Sequence, residues 1–143
     1  MPRALPLLFA AVLSAPLAAQ VPAPAPAAPA PEGIQAIVQR QTDAYNAHDA
    51  QAYAACFTPD IQFIRHPGIA QLQGREEIYK TFAIFFRDHK NAKMRVLYRA
   101  QLGPTTVVEH QEVDGIDKAP VPSMVIYSVR GGLIQAAWFV GAE

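Results

Sequence analysis

Residues 36–63 read AIVQRQTDAYNAHDAQAYAACFTPDIQF, and the spacing of apolar side chains in and around this stretch decides what kind of fold the chain adopts. Ile34, Ile37, Val38, Ala44 and Tyr45 recur at intervals of three, four and seven, the period of a helix with one face turned to a core. This predicts a first helix over 33–48. Gln41 lies on the same stripe, four residues from Ile37 and four from Tyr45, so an amide points where its neighbours are apolar. Asp49 is placed to cap a second, short helix with Tyr53, Cys56 and Phe57 on one face, and Pro59 is its stop signal.

Toward the C-terminus the period changes to two. Residues 61–66 and 69–73 read as short strands around the Pro67-Gly68 turn, and 75–89 return to a helical period through Ile78, Phe82, Phe85 and Phe86. Over 93–102 the chain alternates, Met94, Val96, Tyr98, Ala100 and Leu102 on one face, Lys93, Arg95, Arg99 and Gln101 on the other. Strands over 105–113, 121–129 and 133–140 follow, divided by turn residues that include Arg130-Gly131-Gly132. The order is ααββαββββ, an α+β fold.

Toward the N-terminus the composition is different. Arg3 opens an uncharged run over 4–19 containing Leu5, Leu7, Leu8, Phe9, Val12 and Leu13, which is the three-part pattern of a secretory signal, with small residues Ala18 and Ala19 before Gln20. A membrane span needs about 20 unbroken apolar residues; this run is shorter and contains Pro6 and Pro16, so cleavage rather than stable anchoring is expected. The only cysteine, Cys56, lies far downstream and offers no lipid attachment after the run. Residues 21–31, VPAPAPAAPAP, favour extended polyproline conformations and cannot bury enough surface to fold. The expected organisation is a signal peptide over 1–19, an Ala/Pro-rich linker over 20–32 and one domain over 33–143, periplasmic or secreted.

Composition excludes several classes. Removing Arg3 leaves 11 basic residues against 12 acidic, with no basic stripe for a nucleic acid. One cysteine forms no disulfide within the chain. His48, His66, His89 and His110 show none of the spacings of a metal site, and no phosphate-cradling loop or nucleophile elbow is present, so neither metal nor cofactor is expected.

Three segments together resemble the nuclear transport factor 2-like (SnoaL-like) superfamily: 36–63 its first two helices and first strand, GREEIYKTFAIFF over 74–86 its third helix, and MVIYSVRGGLIQAAWFV over 124–140 its last hairpin. The resemblance implies a conical α+β barrel, a curved and mainly antiparallel sheet wrapped around three helices, with an internal apolar pocket and frequently a dimer through the outer sheet face. Its members include ketosteroid isomerases, cyclases and dehydratases as well as proteins without catalysis, so function has to be argued from the pocket lining. Isomerase chemistry needs a carboxylate base, a tyrosine and a protonated acid. The same register places Arg65 or His66, Gln41 and about Ser123 at those three positions, so standard steroid isomerisation is not expected.

Among residues that could act instead, His66 at a strand end is a candidate base near neutral pH, or else a turn residue facing water. His110 and Glu112 are two apart on one strand and share a face, forming either an acid/base pair or a solvated edge, because the opposite face carries Glu109 and Gln111. Gln41 is a ligand-orienting amide or a satisfied core group. Tyr45, Phe63, Phe82, Phe86 and Trp138, with Ser123, are the expected walls of a site for a small, largely apolar ligand. The expected activity is cofactor-free acid/base chemistry of an isomerase, cyclase or dehydratase type, or ligand binding or assembly without catalysis; the expected partner is a second copy of the chain.

Overall fold

Each long periodic segment becomes an element of the matching type in the computed structural model, which describes residues 33–141; the expected leader and linker lie outside the described residues. The elements are α1 (Ile34–Asn46), α2 (Ala50–Ala55), β1 (Phe57–Arg65), β2 (Ile69–Gln73), α3 (Arg75–Asp88), β3 (Lys93–Leu102), β4 (Thr106–Asp114), β5 (Val121–Arg130) and β6 (Leu133–Gly141). Asp49 caps α2 as its position implies, its carboxylate accepting from the Ala52 amide at 2.9 Å. Glu76 and Glu77 in the first turn of α3 complement its positive end.

The six strands form one mixed, open sheet in the order β2-β1-β6-β5-β4-β3, in which only β1 and β6 run parallel. Helix α1 packs on β3, β4 and β6, and α3 on β1 and β2. The result is the expected conical α+β arrangement, with the helices against the inner face of the curved sheet. Val38, Phe57, Ile61, Ile78, Val107, Val125 and Ile134 are fully buried between the layers, each contributing about 1.5–3 kcal/mol of apolar burial.

Two local features depart from the sequence reading. Strand β1 begins at Phe57, so Pro59 lies inside it; the pairing with β6 is irregular between Phe57 and Gln62, and a proline is tolerated where the ladder needs no amide. In β3 a bulge between Val96 and Tyr98 shifts the register. An extra residue reverses which side chains face in. Met94 is buried as expected, but beyond the bulge Arg99 turns inward, while Tyr98 and Leu102 are exposed on the outside.

Strand pairing orders the inner face into rows. Phe63, Ala137, Tyr127 and Val107 form one; Arg65, Phe139, Val125, Glu109 and Arg99 the next; then Gly141, Ser123 and Gln111; then Val121, Val113 and Met94. The outer face carries Tyr98, His110, Met124 and Val140 in one row, and Ala100, Val108, Ile126, Trp138 and Ile64 in another.

Candidate functional site

The inner rows and the helices enclose a cavity of about 410 Å³, within the usual range for small-molecule sites of roughly 300–1,000 Å³. Its walls are aromatic. Tyr45 from α1, Tyr53 from α2, Phe63 from β1, Phe82 and Phe85 from α3, and Phe139 from β6 all line it. These rings hold one another edge-on or tilted, with centroids 4.4 Å apart for Tyr53 and Phe82, 5.1 Å for Phe63 and Phe139, and 5.9 Å for Tyr45 and Tyr53. Such mutual packing fixes the shape of the apolar surface. Polar lining comes from Arg65, Gln71, Thr81, Gln111 and Ser123, and Arg65 is the only charged residue among them. A wider depression of about 760 Å³ outside α2 and α3 is open to solvent. Arg75 there donates to the Phe57 carbonyl at 2.7 Å and serves the fold.

Of the residues singled out from the sequence, Tyr45, Phe63, Phe82 and Ser123 line the cavity. Phe86 is buried behind it, stacked on His48 with centroids 5.2 Å apart. Gln41 is also behind the wall, 1% exposed, its Oε1 without a hydrogen-bond partner. His66 is exposed in the turn after β1. His110, Glu112 and Trp138 project from the outer face, where Glu112 is ion-paired to Arg95. His66, His110 and Gln41 therefore do not converge on one enclosed volume: a turn, the outside of the sheet and the helix core separate them. The odd-numbered face of β4, ambiguous in sequence, is the inner one, because Val107, Glu109 and Gln111 are buried.

The unanticipated polar groups lie there. Glu109 is fully buried and accepts from Arg99 Nε at 2.5 Å, while Arg99 Nη1 donates to Gln39 Oε1 at 2.7 Å. Burial pushes the Glu109 carboxyl up from the ordinary carboxylate range, and the Arg99 charge opposes that shift. The Tyr127 hydroxyl donates to Gln111 Oε1 of the cavity wall at 3.4 Å, while Glu109 Oε2 and Arg99 Nη2 have no hydrogen-bond partner. Burial also raises the phenols of Tyr45, Tyr53 and Tyr127, so all three are neutral hydroxyls near pH 7. Among the described residues, the cavity wall thus offers neutral hydroxyl and amide groups and one guanidinium, with no carboxylate or imidazole. No group of three potential metal ligands occurs among the described residues.

Comparison with known proteins agrees with this architecture. Among curated proteins no match is found. An uncharacterized cystatin-fold protein from Novosphingobium aromaticivorans superimposes with a TM-score of 0.68 at 20% identity, covering 76% of this chain and 98% of that one. A SnoaL-like protein of unknown function from Burkholderia thailandensis gives 0.64 at 16% identity, covering 77% and 94%. A protein with a ketosteroid isomerase-like fold from Catenulispora acidiphila, solved with trimethylamine, gives 0.62 at 21% identity, covering 72% and 82%. At these identities the likeness is one of fold. The SnoaL-like domain family itself matches residues 38–137, from the first helix to the last strand, and the chain belongs to that family.

Proposed function

We propose that this protein is an exported pocket protein that binds a small, largely apolar molecule without performing acid/base catalysis on it. Family and fold point to small-molecule binding or to isomerase- or cyclase-type chemistry. The observation that favours binding is the wall itself: six aromatic side chains and a few neutral polar groups surround the cavity, and no carboxylate or imidazole lines it. Proton transfer needs a base within hydrogen-bond reach of the proton it removes. Glu109, the fully buried carboxylate, is not among the residues that line the cavity and is held by Arg99.

The reading is tested by amide chemical-shift mapping with a neutral apolar probe such as cyclohexanol. Shifts clustered at Gln111, Val113 and Ser123 are expected; shifts confined to the outer face would overturn it. Turnover of a ketosteroid or a polyketide-like substrate would show that chemistry does occur.

Export rests on the leader-like sequence over 1–19. Fractionation with N-terminal sequencing tests it: a chain starting near Gln20 outside the cytoplasm is expected, and an uncleaved cytoplasmic chain would refute it. A homodimer through the outer sheet face is also proposed, supported by Tyr98 on β3, Met124 and Ile126 on β5, and Trp138 and Val140 on β6, all of them exposed on that face. Exposed apolar side chains clustered on neighbouring strands, as on β5 and β6, mark interaction sites.

A further inference from the structure

Arg65 ends strand β1 and shares an inner row with Phe139. It lines the cavity, and among the described residues no carboxylate lies within ion-pair distance of it. The other inward arginine differs: Arg99 is neutralised by Glu109 and tied to Gln39. The cavity wall therefore carries a single uncompensated positive charge beside an aromatic surface. Arg65 is exposed, so its guanidinium stands at the open edge of the apolar cavity, where it favours an anion over a cation with its charge partly screened by water.

We propose that the ligand is an apolar molecule bearing one carboxylate, its hydrocarbon or aromatic body against Tyr53, Phe63 and Phe82 and its carboxylate paired with Arg65. This rests on the binding function proposed above and narrows it to a ligand class. Gln71 and Ser123, which line the same cavity, are neutral and add no competing charge. The guanidinium fork matches the two oxygens of a carboxylate, whereas a primary amide of the same length presents one acceptor and no charge. The body of the ligand has two sources, an aliphatic chain or a fused aromatic, and matched pairs of probes distinguish them.

The experiment is displacement of the neutral dye N-phenyl-1-naphthylamine at pH 8 by decanoic acid, decanamide and decylamine, and by 2-naphthoic acid and 2-naphthamide. The protein binds at least one acid about five- to tenfold more tightly than its amide, the scale of one charge-assisted hydrogen-bonded contact at a partly exposed site. The pair with the larger ratio identifies the source. Comparing acid with amide within one variant cancels any general effect of a substitution on the fold. In Arg65→Gln the ratio falls to about one, and in Arg65→Lys, which keeps the charge, a preference for the acid persists. A ratio near one in the unsubstituted protein, tighter binding of decylamine, or an acid preference that survives Arg65→Gln overturns the proposal while leaving the binding function standing. Failure of the dye and of every probe to bind would refute both.

Discussion

Phe57 and Phe63 have similar burial but different surroundings, and replacing each by alanine separates a closed core from a cavity wall. Phe57 is fully buried, with ring centroids 5.1 Å from Tyr53 and 5.3 Å from Phe63. Phe63 is 5% exposed and packs against Phe57, Phe82 and Phe139, but it also lines the cavity of about 410 Å³. Loss of either ring removes an apolar transfer contribution of about 2–3 kcal/mol. At Phe57 the space left behind is closed, and a cavity penalty of about 24 cal/mol per Å³ adds to this, so the loss should reach the upper end of the range of about 3–5 kcal/mol for Phe→Ala. At Phe63 the new space merges with an existing cavity, and the loss should stay near the lower end. A difference of about 1–2 kcal/mol between the variants is therefore expected from urea unfolding, provided both transitions are two-state with equal slopes. Equal losses, or a larger loss at Phe63, would refute the assignment of Phe63 to a cavity wall.

Further outcomes follow from other parts of the fold. Because burial raises the Glu109 carboxyl above its ordinary value of 4.5, its folded state favours the neutral form; the stability it contributes is present below about 4.5 and lost as pH rises through the folded value. Thermal melting against pH should show that decline in the unsubstituted protein and a flatter profile in Glu109→Gln. On the outer face, Ile126→Glu should convert the proposed dimer to monomer by light scattering, while dye binding in the cavity is retained. Gly115 has φ +78° and an added Cβ would collide with the Asn91 carbonyl; Gly115→Ala should cost about 1–3 kcal/mol by urea unfolding. His66→Ala, in an exposed turn, should change neither melting temperature nor dye affinity.

The element order was readable because each helix and strand carries its period over enough residues to be unambiguous, and because Asp49 marks a helix start. What could not be read was which way particular strands face. Met94, Val96, Tyr98, Ala100 and Leu102 keep a smooth apolar alternation, so the bulge at Val96/Tyr98 leaves no gap in the pattern, yet it turns Arg99 into the interior. The charge is tolerated there only because Glu109 faces it across β4, and that pairing exists only once the strands are in register. On β4 itself both faces mix apolar and polar residues, so His110 and Glu112 were as plausible inside as Glu109 and Gln111. Each face of β4 also has a carboxylate with an arginine partner on β3, Glu109 with Arg99 and Glu112 with Arg95, so charge pairing does not separate them either. Gln41 was legible as an anomaly on an apolar stripe, but spacing does not imply that its Oε1 is buried without a hydrogen-bond partner.

The binding claim is tested most directly by titrating the protein with N-phenyl-1-naphthylamine beside two variants that fill the cavity, Val121→Trp and Ile116→Trp. Val121 is 41% exposed while also lining the cavity, so a larger side chain there can be accommodated without disturbing the core. Ile116 lines the cavity from the segment between β4 and β5 and gives an independent plug. Saturable binding of one dye per chain is expected in the unsubstituted protein, with at least tenfold weaker binding in both variants at unchanged melting temperature. Equal dye binding in all three proteins, or none in the unsubstituted one, would contradict the cavity as the ligand site.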